Sequence, residues 1–383
     1  MELRNIAEAL GIPEYPEVLD QATPVDICDI GRIAALQEEF NLFGDFYEAV
    51  CAAAKTLAQD PQRLAWGEAI AGYAAQATIS QIRTIPFPLP EGKVDMLPLL
   101  VHLPMIPGAI ASYRSRGFSE ETIRELMASY RGCMSVVLQQ TGISGLDKRY
   151  YGWLFLYSKA LIFRYKGFLF EVASVPDRAV FLKNKETGQL VPLLLQGSIH
   201  RSGLILGSAG CEDPEGSREV TFRETAEGFY GYPATKGKVT SPETFFPASQ
   251  WSCALRPGQF VLSAHLPRGM DISPANVDEA FQTVARISRQ WYPDYDIQGI
   301  SCGSWLLDPQ LEDILGSNSK ITAYAARFSR YPLLSAGREV FNFVFPHGIT
   351  DLNQLPENTR LERGLKKLYL SGGYIHAYCG VIL

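Results

Sequence analysis

The sequence has no Cys-x-x-Cys motif and no closely spaced pair of histidines. Its seven cysteines are scattered along the chain, at Cys28, Cys51, Cys133, Cys211, Cys253, Cys302 and Cys379. Zinc sites draw their ligands from short, regular spacings, so this pattern argues against a metal. An odd and dispersed set also argues against a secreted disulfide framework. We therefore expect no metal and a reducing, cytoplasmic environment.

Long apolar runs and basic segments are missing as well. The N-terminal stretch MELRNIAEALGIPEYPEV lacks the basic-then-apolar order of a signal peptide, and no stretch approaches the ~20 apolar residues that span a bilayer. Residues 1–150 hold 12 Lys or Arg against 19 Asp or Glu, and residues 151–383 hold 23 against 22. A nucleic-acid binder normally carries a basic patch. The sequence thus predicts neither a membrane nor a nucleic-acid partner, and it leaves the oligomeric state open.

The N-terminal part of the chain has the periodicity of amphipathic helices. Between Ile33 and Val50, apolar residues recur at steps of three or four. A second helix is predicted from Pro61 to Gln76, with proline in the first turn, and another opens at Ser119, a hydroxyl cap followed by two glutamates. The run WLFLYSKALIFRYKG fits either a buried helix or a hairpin arm. We expect an all-helical domain over residues 1–145.

Alternating strands and helices dominate the rest of the chain. FLFEVA and QLVPLLL read as strands joined through the polar turn KNKETGQ, and residues 197–250 give only weak strand signals. Strands are predicted at GQFVLSAHLP, DIQGISCGSWLL, EVFNFVF and YIHAYCGVIL, with helices at 274–291, PQLEDIL, NSKITAYAARF and TRLERGLKKLYLSGG. This order is typical of an α+β fold with a mixed sheet over residues 146–383.

Several stretches resemble a bacterial family that combines a helical acyltransferase-type N-terminal domain with a GNAT-like (GCN5-related N-acyltransferase) C-terminal domain. They are RSRGFSEETI, GISGLDKRYYGW, YKGFLFE, EGFYGYP, LSAHLPRGMDI, CGSWLLDPQLEDIL and LPENTRLERGLKKLYLSGG. SWLLDPQL is the most specific of them. The resemblance covers residues 110–383, and it implies acyl transfer from acyl-CoA or acetyl-CoA to an amine of a small molecule or peptide.

The resemblance also implies where the thioester binds. In GNAT enzymes one strand splays from its neighbour and the following loop offers backbone N–H groups to the pyrophosphate, which suits a helix N-terminus. Here residues 268–273, with Arg268 and Gly269, would form that loop, and Leu266, Ser304, Trp305 and Asn318 would complete the cofactor site. The alternatives are that Trp305 anchors the helix that follows and that Asn318 is a helix cap. The loop departs from the family pattern, because it has one glycine, carries Asp271 and leads into Pro274.

Three side chains are candidates for the chemistry. His265 ends the splaying strand, where an imidazole can accept a proton at neutral pH; the alternative is a strand-end histidine bonded to backbone. Cys302 is either a nucleophile or a packed thiol. Tyr324 is either the acid for the leaving thiolate or a core residue. The alternative function is a non-catalytic sensing or scaffolding protein that retains the fold.

Overall fold

A computed structural model describes residues 2–345 and 351–383. The chain forms two compact units, of which the first ends at Arg164 and the second begins at Tyr165. This division lies further along the chain than the boundary expected between residues 145 and 146, because the run WLFLYSKALIFRYKG contains both helix and strand. It contains the end of helix α9 (Lys148–Ser158) and then a short strand, β1 (Ile162–Tyr165).

The first unit is built from α-helices up to strand β1. None of the helices in the described ranges is both long and apolar enough to cross a bilayer. The helices of this unit are α1 Leu3–Ala9, α2 Ile30–Phe40, α3 Tyr47–Leu57, α4 Pro61–Gln76, α5 Leu97–His102, α6 Ile106–Ser115, α7 Glu120–Met127, α8 Ser129–Thr141 and α9 Lys148–Ser158.

Local capping chemistry explains where two of these helices begin. Helix α4 has the predicted bounds, because the Asp60 carboxylate accepts a hydrogen bond from Arg63 N and Pro61 occupies the first turn. Helix α7 opens at the predicted cap, where Ser119 Oγ accepts from Thr122 N at 3.2 Å. Both helix predictions are confirmed.

A buried polar network lies in the core of the first unit. His102 is 0% exposed, and its Nδ1 lies 2.8 Å from Ser158 Oγ, which also lies 2.6 Å from the Tyr130 hydroxyl. The rings of Tyr151 and Phe155 pack against the imidazole. Burial lowers the pKa of His102 to about 3, so this imidazole is neutral in the native protein.

The second unit is a mixed α/β assembly. Its helices are α10 Pro274–Trp291, α11 Gln310–Leu315, α12 Lys320–Ala325, α13 Phe341–Val344 and α14 Arg360–Leu370. Its strands are β2 Phe168–Ser174, β3 Ala179–Asn184, β4 Leu190–Leu194, β5 Gln196–Ile199, β6 Arg218–Thr221, β7 Arg223–Glu224, β8 Gly228–Gly231, β9 Ala234–Thr235, β10 Lys238–Val239, β11 Thr244–Pro247, β12 Trp251–Leu255, β13 Phe260–His265, β14 Ile297–Ser304, β15 Ser329–Pro332 and β16 Tyr378–Ile382.

The central sheet of this unit runs in the order β2-β13-β14-β16-β15. Strands β13 and β14 are parallel, and the other neighbours are antiparallel. One face packs against α10, where the Phe281 ring meets Phe168 and Phe170. The other face contributes Val261 and Val381 to a core with Phe181 of the three-stranded sheet β12-β3-β4. The predicted mixed-sheet domain after a helical region is confirmed.

Three strand predictions need correction. EVFNFVF was expected to be a strand, but Phe341–Val344 is a helical turn, and the edge strand is instead β15. The turn KNKETGQ does not join FLFEVA to QLVPLLL. It joins β3 to β4, whereas FLFEVA forms β2 of the central sheet. The weak signals over residues 197–250 correspond to the short antiparallel strands β5 to β11.

Candidate active site

The parallel strands β13 and β14 separate before either of them ends. Their paired residues are Phe260 with Ile297, Leu262 with Ile300 and Ser263 with Ser301. Beyond that last pair, β13 stays paired with β2 as far as His265, and β14 stays paired with β16 as far as Ser304. Each strand therefore keeps its outer neighbour while the two inner edges part, which leaves backbone N–H and C=O groups facing a gap.

A bulge lies just before this gap. Between the first two pairs, β13 advances from Phe260 to Leu262 while β14 advances from Ile297 to Ile300, so β14 carries one extra residue. Bulges bend a strand and increase its local twist. The bulged stretch contains Gly299, where an added Cβ would lie 2.2 Å from the Ile382 carbonyl oxygen. Only glycine allows β16 to approach so closely.

Gly303 marks the open part of the gap. It lies in β14, an inner strand of the sheet, and yet it is exposed. A Cβ built on Gly303 would meet no heavy atom of the described residues within 4 Å. An inner strand is normally covered on both faces, so exposure at this position indicates a groove along the separated edges of β13 and β14. Glycine inside a strand often marks close approach by a ligand.

The alternation of side chains along the two strands divides the candidate residues between the faces of the sheet. Ser263 pairs in register with Ser301, so His265 and Gly303, two residues further along each strand, project to that same face. Cys302 projects to the opposite face, toward α10. His265 and Cys302 therefore border the gap from opposite sides of the sheet.

His265 is held by a carboxylate from the neighbouring strand. Its Nε2 lies 2.9 Å from Oε2 of Glu171 in β2. The His265 side chain is 34% exposed and that of Glu171 is 13% exposed. A hydrogen bond between two partly buried side chains orients the ring at the mouth of the gap.

Cys302 and Tyr324 lie together on the α10 face. Both are buried, and the Tyr324 ring packs against those of Phe168, Phe281 and Phe328. Burial raises the pKa of the Cys302 thiol to about 12, and the neighbouring Tyr324 hydroxyl opposes part of that rise. Burial, and then Cys302, raise the pKa of Tyr324 well above its ordinary value. Because the thiolate is the nucleophilic form, a protonated thiol fits the packed interpretation of Cys302 better than the nucleophilic one.

The loop between β13 and α10 compensates its own negative charge. Asp271 accepts hydrogen bonds from Ser273 N at 2.9 Å and Ser273 Oγ at 2.7 Å, and its Oδ1 lies 3.1 Å from Lys320 Nζ. These hydrogen bonds, followed by the Lys320 ammonium, lower the pKa of Asp271 to about 2. One cation and two hydrogen-bond donors therefore reduce the repulsion that the Asp271 carboxylate would exert on a phosphate at this loop.

The same loop leaves the start of α10 without a side-chain cap. Ser273 occupies the N-cap position, but its hydroxyl donates to Asp271 instead. Gly269 has a positive φ of 81° and lies within a turn in which Met270 N donates to Pro267 O. Arg268 is exposed and has no ion-pair partner among the described residues. Uncapped amides at a helix N-terminus and a nearby arginine suit an anion.

The remaining cofactor candidates have structural partners. Ser304 Oγ accepts from Leu306 N at 3.1 Å, and Trp305 packs with Leu311 and Tyr369 in a buried cluster. Leu266 is half-buried just after β13. Asn318 is exposed in the turn before α12, and the cap of that helix is its neighbour Ser319 rather than Asn318.

Sequence reasoning missed three residues that shape this site. Glu171 is the only charged residue in the otherwise apolar FLFEVA, a signal that was present in the sequence. Gly303 is a glycine inside a strand, which is also a visible signal. Lys320 reaches Asp271 across 49 residues, and nothing local indicates that contact. In the part of the chain that the structure describes, no group of His, Cys, Asp and Glu is placed to hold a metal ion.

Comparisons with known proteins agree with this architecture. Residues 200–382 match the family model of the GNAT-like C-terminal domain. The whole chain is similar to a solved acyltransferase in complex with decanoyl-CoA, with 15% identity, a TM-score of 0.64 and coverage of 100% of this chain and 99% of that one.

Two further structures match over the same coverage of both chains. One is an acyltransferase mutant in complex with octanoyl-CoA, with 17% identity and a TM-score of 0.64, and the other is an acyltransferase with CoA and 10C-teicoplanin, with 16% identity and a TM-score of 0.63. No curated protein matches the sequence. At such low identity the likeness shows the fold, and it confirms the predicted resemblance to GNAT-like acyltransferases.

Proposed function

We propose that this chain, with its GNAT-like C-terminal domain and its acyltransferase fold, transfers an acyl group from an acyl-CoA thioester to an amine. The observation that carries the proposal is the gap between β13 and β14, where Gly303 is exposed in an inner strand. The separated strand edges offer backbone groups to the amides of an acyl-CoA arm. The acyl-CoA complexes of the similar structures support this assignment.

The phosphates would lie at the loop after β13. Gly269 permits close approach of the backbone, Arg268 supplies a positive charge, and the start of α10 supplies amides. Lys320, which lies beside the loop through its ion pair with Asp271, would add a second cation. The side chains of Ser304 and Trp305 are engaged in the fold, so β14 would contribute through its backbone.

The proposed chemistry needs a base and an acid on the two sides of the gap. His265 would take the proton from the acceptor nitrogen as the nitrogen attacks the thioester carbonyl. Tyr324 would donate a proton to the leaving thiolate, and Cys302 would pack beside it. The acceptor would be an amine of a small molecule, since similar acyltransferases were crystallised with teicoplanin or 10C-teicoplanin.

A binding and turnover experiment tests this proposal. The thermal stability of the protein is measured with CoA and with acetyl-, octanoyl- and decanoyl-CoA, and release of free CoA thiol is then followed with a panel of small-molecule amines. A ligand present at about 100 times its Kd should stabilise the native state by about 2.7 kcal/mol.

Each outcome has a defined meaning. Stabilisation together with amine-dependent thiol release supports the enzyme, and the His265→Ala variant should then retain binding and lose turnover. Stabilisation without turnover on any amine would assign the protein to the non-catalytic alternative, as a sensor or scaffold. No stabilisation by any acyl-CoA at concentrations far above micromolar would reject acyl-CoA as a ligand.

A further inference from the structure

The pairing of β2 with β13 places a carboxylate beside the candidate base. The two antiparallel strands pair without interruption from Phe260 with Ser174 to His265 with Leu169. Glu171 pairs with Ser263, so it is the diagonal neighbour of His265 on the same face of the sheet. The contact joins residues 94 positions apart in the chain. A continuous backbone ladder therefore sets their separation, rather than the reach of a flexible side chain.

The hydrogen bond between these side chains favours one tautomer of the imidazole. An ionised carboxylate only accepts, so Oε2 of Glu171 accepts from an N–H at Nε2 of His265 across 2.9 Å. In a neutral imidazole the lone pair is then on Nδ1. Glu171 itself is largely buried, with 13% of its side chain exposed, which limits competition from water.

We propose that Glu171 is a positioning residue that acts through His265, holding it in the Nε2–H tautomer so that Nδ1 accepts the proton of the acceptor amine. The inference rests on the proposed function for its catalytic meaning. In the step, the amine nitrogen forms a C–N bond with the thioester carbonyl carbon, and the C–S bond breaks with its electron pair leaving on sulfur. The nitrogen's proton passes to Nδ1 of His265, and the thiolate takes a proton from the acid or from water. The Glu171 carboxylate then faces an imidazolium that it stabilises, the relation that a base has to its orienting carboxylate in catalytic triads.

Substitutions at Glu171 test the proposal through a split between binding and turnover. Glu171→Ala should lower kcat about 100-fold while octanoyl-CoA binds within twofold of the wild-type affinity. Glu171→Gln keeps an acceptor oxygen but loses the charge, so its kcat should lie between the two. The matched control is Glu279→Ala, which breaks an exposed ion pair with Lys166 in the same unit and should leave kcat within twofold.

A double-mutant comparison separates positioning from general structural support. If Glu171 acts only through His265, the Glu171→Ala, His265→Ala double variant should be no slower than His265→Ala alone. Losses that multiply would overturn the proposal, as would a Glu171→Ala variant with wild-type kcat.

A spectroscopic measurement decides the tautomer independently of turnover. The imidazole signals of ¹⁵N-histidine-labelled protein are assigned to His265 by their loss in the His265→Ala variant. The wild-type protein should show the Nε2–H tautomer, and Glu171→Ala should show a mixture of both tautomers. An unchanged tautomer would overturn the positioning role even if acyl transfer is established. Conversely, a change of the His265 tautomer in Glu171→Ala, in a protein without turnover, would support the positioning of His265 by Glu171 and reject only the acyltransferase assignment.

Discussion

Replacing Gly303 with valine tests whether the gap between β13 and β14 is the binding groove. No heavy atom of the described residues lies within 4 Å of a Cβ at this position, and Gly303 has no positive φ that would strain a side chain. Valine also favours strands over glycine by up to about 1 kcal/mol. The Gly303→Val variant should therefore fold with unchanged or slightly higher stability, while its methyl groups occupy the groove.

The expected loss is measurable by thermal shift. At about 100 times the wild-type Kd, octanoyl-CoA should stabilise the protein by about 2.7 kcal/mol, and a 100-fold weaker variant keeps only about 0.4 kcal/mol at the same concentration. For a unit of this size each kcal/mol moves Tm by about 2–4 °C. The ligand-induced shift should therefore fall from about 5–10 °C to about 1 °C.

The control variant places the same side chain elsewhere in the second unit. Thr221→Val introduces valine at an exposed position of β6, and it should bind octanoyl-CoA as the wild-type protein does. Gly303→Ala should fall between glycine and valine. If Gly303→Val showed the full wild-type shift, the ligand would not pass this part of β14 and the reasoning from the exposed glycine would be refuted.

Three further predictions concern stability and chemistry. Burial lowers the pKa of His102 to about 3, below the ~6.5 of an unfolded histidine, so the unfolded state binds a proton that the native state does not, and stability is lost as pH falls below ~6.5. Urea unfolding between pH 6 and pH 4 should show a loss of unfolding free energy on the order of 2 kcal/mol that is absent in His102→Gln. The same dependence of unfolding free energy on pH in both proteins would contradict this. Burial raises the pKa of the Cys302 thiol to about 12, so the wild-type protein should form no acyl-enzyme visible by mass spectrometry, and Cys302→Ala should retain kcat within a few-fold. A loss of kcat on the order of 1,000-fold, as expected for a nucleophile, would instead support the covalent route. Gly299→Ala should lower the unfolding free energy by about 1–3 kcal/mol, because its Cβ would meet the Ile382 carbonyl, and a variant of wild-type stability would show that the bulge tolerates a side chain.

Features that depend on nearby residues could be predicted from the sequence. Helix α4 and helix α10 have the bounds that were expected, because a cap or proline at one end and apolar periodicity along the length are local signals. The order of elements around β13 and β14 was recognisable for the same reason, and with it the GNAT-like fold.

The strand predicted at EVFNFVF shows where local pattern fails. Its apolar run is satisfied by a helical turn that buries Val340 and Phe345 in a cluster with Trp305 and leaves Phe343 exposed. The sequence pattern does not predict the edge strand β15, because this strand is short and ends in Pro332, a residue that sheets accept at their edges. Tertiary packing decided both outcomes.

The candidate site was only partly predictable because its geometry depends on register between distant strands. His265 was identified from its position at the end of a strand. Its hydrogen bond to Glu171 depends on the pairing of β2 with β13, which no local pattern in the sequence specifies. The placement of His265 and Cys302 on opposite faces likewise depends on the pairing of Ser263 with Ser301.

The most direct test of the central claim is a crystal structure with a thioether analogue of octanoyl-CoA that cannot transfer its acyl group. We expect the analogue to lie between β13 and β14 beyond the Ser263–Ser301 pair, to pass Gly303, and to place its pyrophosphate at the loop containing Gly269. Density for the analogue at another position, with β13 and β14 unchanged and the groove empty, would contradict the claim.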